Sequence, residues 1–219
     1  FRWAGEGRIL FVAPVKGRFP LHSVTVADGV VTPVAGASHV RQFDVTASGA
    51  VAFTHTTTGR PAELFALAAG AAAPLRLTGF NDAVVAKIDF RPAQELWIDT
   101  PDGQRIHTFV VLPHGYRKGV KYPLVLNVHG GPQMQWSDSF RGDWQVYPGA
   151  GAVVAFPNPH GSTGYGQAFT AAISRDWGGQ VYRDVMAVTD FLSKQDYVDA
   201  SRMALMGWSY GGYFVNWVA

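Results

Sequence analysis

A serine close to the C-terminal end of the chain lies in a pattern that suits nucleophilic catalysis. The run Gly207-Trp208-Ser209-Tyr210-Gly211 fits G-x-S-x-G, a sharp strand-to-helix turn that exposes a serine hydroxyl. The glycines on both sides allow the strand and the helix to approach closely. Ser209 is therefore the predicted nucleophile. The backbone N–H of Tyr210 is predicted to stabilise the oxyanion that forms when a serine attacks a carbonyl group.

A glycine-rich loop earlier in the chain is suited to supply the second oxyanion donor. The apolar run 123–128 has the length of a buried strand, and His129-Gly130-Gly131-Pro132 follows it directly. In α/β-hydrolases the loop after the corresponding strand donates one N–H to the oxyanion. We predict Gly131, or else Gly130, as that donor, because glycine lets the backbone approach the reacting group. We interpret His129 as a brace for this loop.

The acid and the base that a serine nucleophile needs do not follow Ser209 closely. Residues 210–219 contain no Asp, Glu or His. In α/β-hydrolases both residues come after the serine along the chain. We therefore expect the acid and the histidine beyond Ala219, and we expect residues 1–219 alone to be inactive without the remainder of the hydrolase domain. A nicked enzyme, whose other half is a separate polypeptide, is an alternative.

The elements around these motifs follow the order of an α/β fold. The apolar runs 152–156 and 203–206 predict two further buried strands. Between them the stretch 179–194 predicts a helix with one apolar face. The residues of that face, at spacings of four, three and four, are Val181, Val185, Val188 and Leu192. Strand, helix, strand and the Ser209 turn in succession indicate a doubly wound parallel sheet.

Two segments of the first ninety residues repeat 42 positions apart. Ile9-Leu10-Phe11 corresponds to Val51-Ala52-Phe53, and Gly17-Arg18 corresponds to Gly59-Arg60. Short apolar runs before turn glycines are typical of strands, and a period of about 40–45 residues is typical of β-propeller blades. We predict that residues 1–90 form the last two blades of a propeller. Two β-hairpin units of a sandwich are the alternative.

The second predicted domain begins near residue 91. Strand-like runs flank the turn Pro101-Asp102-Gly103, which predicts a β-hairpin over 95–112. Residues 91–219 are therefore predicted to be the N-terminal half of an α/β-hydrolase domain, and the predicted fold class is α/β.

The composition argues against several other classes of protein and site. The formal net charge is +2 without any basic run, which argues against nucleic-acid binding. The chain has no cysteine, and no histidine–carboxylate cluster has the spacing of metal ligands. We predict no metal and no cofactor. Because no apolar run is long enough for a transmembrane helix, we expect a soluble protein without a membrane partner. The sequence leaves the compartment open, cytoplasmic or periplasmic.

Five motifs between residues 121 and 219 occur in a fixed order. They are Lys121-Tyr122-Pro123, His129-Gly130-Gly131-Pro132, Pro157-Asn158-Pro159 with Gly161-Ser162-Thr163-Gly164-Tyr165-Gly166, Asp176-Trp177-Gly178-Gly179, and Gly207-Trp208-Ser209-Tyr210-Gly211-Gly212-Tyr213 with Asn216-Trp217. Together they resemble the prolyl oligopeptidase family of serine peptidases, and within it the dipeptidyl-peptidase 5 and acylaminoacyl-peptidase branch.

The resemblance implies roles for individual residues. Ser209 corresponds to the nucleophile, Gly131 and Tyr210 to the oxyanion donors, and Trp208 and Tyr213 to residues that pack beside the nucleophile and bind substrate. It also implies a seven- or eight-bladed propeller that restricts access to short peptides, with release of dipeptides or acylated amino acids from the N-terminus and no cofactor. Family members often assemble, so a homo-oligomer is an expected partner besides the peptide substrate.

The sequence departs from the family pattern at two positions. His160 stands where the family usually has an arginine, which puts the charge contact of that arginine in doubt. His129 stands where the dipeptidyl-peptidase-4 branch has a tyrosine that donates to the oxyanion, so a backbone donor is expected here. A serine esterase of the same fold and a catalytically inactive binding protein are alternatives, and the loop 161–166 is either an active-site loop or a plain connector.

Overall fold

The computed structural model describes residues 1–36 and 38–219. The chain divides into two compact units. The first unit holds residues 1–90 together with the short segment 137–140, and the second holds 91–136 and 141–219.

The first unit contains two antiparallel sheets of four strands, and in both sheets the strands lie in chain order. The strands of the first sheet are β1 (Arg2–Trp3), β2 (Arg8–Val12), β3 (Leu21–Thr25) and β4 (Val31–Ala35). Those of the second sheet are β5 (His39–Val45), β6 (Val51–Thr57), β7 (Arg60–Leu67) and β8 (Leu75–Arg76), followed by a short helix α1 (Asp82–Val85). A four-stranded antiparallel sheet of this order is also the form of a propeller blade.

The sequence repeat has a direct structural counterpart in the first unit. Ile9-Leu10-Phe11 lies in β2 and Val51-Ala52-Phe53 lies in β6, which are the second strands of the two sheets. Gly17 and Gly59 lie in the turns that follow these strands. The buried core of the unit consists of Leu10, Leu21, Val40, Val51, Phe53 and Leu67. The two copies of the repeat thus lie in corresponding strands of two sheets, and the assignment of residues 1–90 to the last two blades of a propeller stays a prediction.

The second unit is built on a five-stranded mixed sheet. Its strands are β9 (Gln94–Asp99), β10 (Arg105–Val111), β11 (Tyr122–Val128), β12 (Val153–Asn158) and β13 (Val198–Gly207). Its helices are α2 (Asp143–Gly149), α3 (Gln167–Ala171), α4 (Gln180–Ser193) and α5 (Tyr210–Val218). The strands lie in the order β13-β11-β12-β10-β9.

Strand directions in this sheet separate a parallel part from a hairpin. The strand β11 runs parallel to both β12 and β13, as the sequence predicts. The strands β9 and β10 form the predicted antiparallel hairpin, and β10 is also antiparallel to β12. The carboxyl ends of β11, β12 and β13 therefore lie along one edge of the sheet, where parallel α/β sheets commonly place their ligands.

The helix α4 packs against this sheet with the apolar face that its sequence predicts. Val181, Val185, Val188 and Leu192 are at most 1% exposed and belong to the same buried cluster as strand residues such as Leu124 and Val153. Full burial of one such aliphatic side chain stabilises a fold by about 1.5–3 kcal/mol. None of the helices in the described ranges is both long and apolar enough to cross a membrane.

The strand β13 lies at an edge of the sheet. Among the described residues its strand partner is β11 alone. Val198 pairs with Tyr122 and Met203 pairs with Leu124, so β13 bulges between these two positions. Most side chains of β13 are exposed or half-buried.

Candidate active site

Ser209 lies in the turn between β13, which ends at Gly207, and α5, which begins at Tyr210. Its backbone has φ 58° and ψ −124°. For a residue other than glycine this region costs about 1–3 kcal/mol, and it persists only where the surrounding structure enforces it. Ser209 is exposed. The predicted nucleophile thus occupies a strained and accessible strand-to-helix turn.

Two glycines allow this turn by leaving space between the strand and the helix. A Cβ atom at Gly207 would lie 2.5 Å from the carbonyl carbon of Gly211. A Cβ atom at Gly211 would lie 2.1 Å from the carbonyl oxygen of Val128, the last residue of β11. Both positions therefore require glycine, which is the spacing that G-x-S-x-G describes.

The backbone N–H of Tyr210 belongs to the first turn of α5. Such N–H groups have no partner within their helix, and the helix dipole favours negative charge beside them. This position suits the predicted role of Tyr210 as an oxyanion donor. The phenol faces elsewhere: it donates a hydrogen bond of 2.6 Å to the carbonyl oxygen of Trp177, and burial raises the pKa of the Tyr210 hydroxyl.

The loop after β11 lies directly beside Ser209. A Cβ atom at Gly130 would lie 3.1 Å from the carbonyl oxygen of Trp208 and 3.2 Å from the Cβ of Ser209. Gly131 has φ 117°, and a Cβ there would lie 2.7 Å from the backbone nitrogen of Gln133. The structure therefore brings the two predicted sources of oxyanion donors, Gly130-Gly131 and Tyr210, to the same turn as Ser209.

The side chain of His129 is committed to this loop. It is 2% exposed, its Nδ1 lies 2.7 Å from the carbonyl oxygen of Gly130, and its Nε2 lies 2.8 Å from the Oγ of Ser162. Burial lowers the pKa of His129 from 6.5 to about 4, although the hydrogen bond to Gly130 opposes the shift. His129 is therefore neutral at pH 7. These contacts agree with the interpretation of His129 as a brace for the loop.

The last residue of β12 and the segment after it hold the other end of the same loop. The Oδ1 of Asn158 accepts a hydrogen bond of 2.7 Å from the backbone N–H of Trp136, and its Nδ2 donates to the carbonyl oxygen of Trp136 at 3.0 Å. The backbone N–H of Thr163 donates to the carbonyl oxygen of Met134 at 2.8 Å. These contacts favour the reading of 161–166 as part of the site rather than as a plain connector.

Asn158 and Ser162 are two residues of the site whose roles the sequence does not predict. Both are fully buried, and their partners lie 22 and 33 positions away along the chain. The available signal was their place at the end of the apolar strand β12 and shortly after it, at the carboxyl edge of the sheet. His107 is also buried, between the Tyr165 hydroxyl at 2.7 Å and the Glu95 carboxylate at 3.1 Å.

His160, which replaces the family's usual arginine, takes a carboxylate contact. Its Nδ1 and its backbone N–H both lie 2.7 Å from Oδ2 of Asp184, a fully buried residue of α4. The Oδ1 of Asp184 accepts a hydrogen bond of 2.9 Å from Gln180. The His160 ring also stacks on Phe169, with 4.2 Å between the ring centroids. An imidazole thus contacts a carboxylate at this position, and the sequence analysis did not single out Asp184.

Aromatic side chains surround the start of α5. The ring of Tyr213 lies 5.8 Å from those of Trp177 and Tyr210 and 6.4 Å from that of Trp217. Trp208, in contrast, is 88% exposed. The predicted substrate-binding roles of Trp208 and Tyr213 stay predictions.

Comparisons with known proteins identify one family and several similar peptidases. The model of the prolyl oligopeptidase family matches residues 138–219, a range that includes Ser209. Dipeptidyl-peptidase 5 of Schizosaccharomyces pombe is 32% identical over 98% of this chain, and dipeptidyl-peptidase 5 of Porphyromonas gingivalis is 32% identical over all of it. The match covers 31% and 32% of these two proteins, so the chain spans about a third of their length.

A solved structure gives the same result for the fold. An acylaminoacyl peptidase in complex with Z-Gly-Gly-Phe-chloromethyl ketone superimposes with a TM-score of 0.87 and 26% sequence identity, over 97% of this chain and 33% of that protein. The family model, the two curated relatives and the solved structure all carry peptidase names. Residues 138–219 therefore match the prolyl oligopeptidase family, and the chain is similar over nearly its whole length to two dipeptidyl-peptidase 5 proteins.

Proposed function

We propose that this chain is part of a serine peptidase that cleaves short peptides near their N-terminus, with Ser209 as its nucleophile. The observation that carries the proposal is the strained turn of Ser209 in contact with the Gly130-Gly131 loop. The printed names of the relatives, dipeptidyl-peptidase 5 and acylaminoacyl peptidase, support release of dipeptides or acylated amino acids.

The proposed reaction is acyl transfer through an acyl-enzyme. The Oγ of Ser209 attacks the carbonyl carbon of the scissile peptide bond while a histidine takes its proton. The C–N bond then breaks, the same histidine protonates the departing amine, and water hydrolyses the ester on Ser209. Because both nitrogens of His129 contact Gly130 and Ser162, we assign the base, with its acid, to a part of the protein outside these 219 residues.

The oxyanion is held by backbone groups in this proposal. The N–H groups of Gly131 and Tyr210 donate to it, and the N-terminus of α5 favours its negative charge. Removal of one such donor typically slows an enzyme by about 10²–10³-fold. The two four-stranded sheets of the first unit act as propeller blades that restrict the substrate to short peptides.

A fluorophosphonate probe tests the assignment of the nucleophile. The full-length protein is treated with the probe and the adduct is located by mass spectrometry of its peptides. We expect the adduct on Ser209 and expect Ser209→Ala to remain unlabelled, whereas residues 1–219 alone should react poorly because no base is present. An adduct on another serine in the active full-length protein would refute the assignment.

A substrate panel tests the reaction class. Dipeptidyl amides, N-acetyl-aminoacyl amides and short acyl esters are compared by kcat/KM on the same preparation. A preference for either amide class supports the peptidase and tells which product is released. Hydrolysis of esters alone indicates an esterase of the same fold, and a folded protein that neither hydrolyses the panel nor reacts with the probe indicates a binding protein.

A further inference from the structure

Two consecutive hydrogen bonds link a buried serine to the peptide group that carries a predicted oxyanion donor. Ser162 Oγ lies 2.8 Å from His129 Nε2, and His129 Nδ1 lies 2.7 Å from the carbonyl oxygen of Gly130. That oxygen belongs to the same peptide group as the N–H of Gly131. Both Ser162 and His129 are buried, so water does not compete for these bonds.

The available protons restrict the direction of both hydrogen bonds. A carbonyl oxygen only accepts, so the ring proton of His129 must sit on Nδ1 to bond Gly130. The buried ring is neutral at pH 7, which leaves Nε2 as an acceptor. The hydroxyl of Ser162 is the donor in reach of it, and its one proton serves either His129 Nε2 at 2.8 Å or the carbonyl oxygen of Pro159 at 2.6 Å. Pro159 also accepts the backbone N–H of Ser162 at 3.0 Å, so its oxygen keeps a donor when the hydroxyl turns to His129.

Because the peptide group is planar, the hydrogen bond to the oxygen of Gly130 also restricts the orientation of the N–H of Gly131. In a trans peptide group the C=O and the N–H point in opposite directions within one plane, so holding the oxygen of Gly130 sets the direction of the N–H of Gly131. Two glycines flank the group, and without the hydrogen bond it has more rotational freedom than any other pair of residues would allow. A hydrogen bond to the oxygen also polarises the N–H, which strengthens it as a donor.

We propose that Ser162 is a positioning residue, which through His129 and the carbonyl of Gly130 aims the N–H of Gly131 at the oxyanion. The inference rests on the proposed function, and it adds a residue 31 positions away from the donor itself. Other hydrogen bonds fix the rest of the loop independently of Ser162. The side chain of Asn158 bonds to the backbone of Trp136, and the N–H of Thr163 donates to the carbonyl oxygen of Met134. Loss of the Ser162 hydroxyl should therefore free one peptide group without displacing the whole loop.

Kinetics of the full-length protein test the role of Ser162. We expect Ser162→Ala to lower kcat for a dipeptidyl amide by about 10–100-fold, less than complete removal of a donor, with KM within about threefold. Affinity for a peptidyl boronic acid, which forms a tetrahedral adduct, should fall with kcat. Thr170→Val is the matched control, because Thr170 Oγ1 donates to the backbone oxygen of Ser162 at 2.9 Å and does not contact His129. It should retain wild-type kcat.

A double-mutant cycle shows whether Ser162 acts through His129. We expect His129→Phe to lower kcat at least as much as Ser162→Ala, and the double variant to be no slower than His129→Phe alone. Multiplicative losses would overturn the proposal. Ser162→Thr, which retains the hydroxyl, should recover activity if it folds. If it does not fold, the cycle alone decides.

Crystal structures of the wild type and Ser162→Ala separate this inference from the proposed function. We expect the Gly130-Gly131 peptide group to rotate or to lose definition in the variant while Trp136 stays in place. An unchanged peptide group would overturn the inference even if activity fell. If the wild type neither labels at Ser209 nor hydrolyses the substrate panel, the proposed function fails, and the rotation still tests the hydrogen-bonded positioning.

Discussion

The two loops that flank the candidate oxyanion site are held in different ways. The Ser209 turn is fixed by backbone crowding: Gly207, Gly211 and the end of β11 leave no space for another atom. The loop 129–136 is fixed by side chains from elsewhere, with Ser162 bonded to His129 and Asn158 bonded to Trp136. Backbone crowding requires glycines at fixed spacing, which form a short motif in the sequence. Hydrogen bonds between residues far apart in the chain produce no such motif. The first loop should therefore tolerate no added atom, and the second should depend on particular polar groups and on pH.

The largest effect is expected where the crowded turn receives one methyl group. In Gly211→Ala the new Cβ would meet the carbonyl oxygen of Val128 at 2.1 Å, so the strand and the helix must separate. We expect a loss of at least about 10³-fold in the rate of probe labelling and a destabilisation of about 4–5 kcal/mol. The control is Gly212→Ala, whose Cβ would have its nearest neighbour at 3.6 Å. Equal labelling rates of the two variants would show that crowding does not fix the turn.

The next effect concerns the far end of the second loop. Asn158→Ala removes both side-chain hydrogen bonds to the buried backbone of Trp136. We expect the free energy of unfolding of the full-length protein to fall by about 3 kcal/mol, measured by urea denaturation, because two buried groups lose their partners. Ser193→Ala, which removes an exposed hydrogen bond to Asp190, is the control and should change little. A loss no greater than that of the control would mean that the loop is held without Asn158.

Acid should weaken the second loop more than the first. The folded pKa of His129, about 4, is below the unfolded value of 6.5. The contribution of neutral His129 to the free energy of unfolding is therefore complete above pH 6.5. It is lost as the pH falls towards 4, because the unfolded chain binds the proton more tightly than the folded protein does. The full loss is about 3 kcal/mol.

The test compares urea midpoints of the wild type and His129→Phe at pH 7.5 and 4.5. We expect the variant to be less stable at pH 7.5 and to lose less stability on acidification, because Phe does not titrate. His39, in the first unit, also has its pKa lowered to about 4, chiefly by burial. His39→Phe is therefore the comparison that separates the second loop from acid effects elsewhere. Parallel pH profiles of wild type and His129→Phe would contradict the prediction.

The smallest effect tests whether Tyr210 acts through its backbone. Tyr210→Phe removes the hydrogen bond to the oxygen of Trp177 and leaves the N–H in place. We expect a destabilisation of about 1 kcal/mol and a labelling rate within about threefold of wild type. Tyr182→Phe, on the exposed side of α4, serves as the control. A drop of a hundredfold would indicate that the phenol itself takes part in the reaction.

The sequence predicts best the elements whose signal is local and periodic. The helix α4 and the strands β11 and β12 appear within a few residues of their predicted bounds, because apolar spacing sets which faces are buried. The strand β13 begins five residues before the predicted run 203–206, since its polar first half is held by pairing and a bulge that composition does not reveal. The short helix α2, which contains Pro148, has no such periodicity and was not predicted.

Among the residues of the site, too, those with a local sequence signal were predicted and those without one were not. Ser209, Tyr210 and Gly131 were found because glycines at fixed spacing accompany a reactive turn. Asn158, Ser162 and Asp184 were missed because each contacts a group more than 20 positions away. Hydrogen bonds between residues that only the folded sheet brings together have no local sequence pattern.

The edge position of β13 has a consequence for handling the 219-residue chain. An edge strand offers backbone donors and acceptors to any other extended chain, and charged side chains are a common protection against such stacking. In β13 that protection lies only in the first half, where Asp199 and Arg202 form an ion pair. The run Met203-Ala204-Leu205-Met206 has no charge. Self-association of the isolated chain in concentrated solution is therefore expected to begin at this run, and a lysine at Ala204 is the substitution of choice for keeping it dispersed.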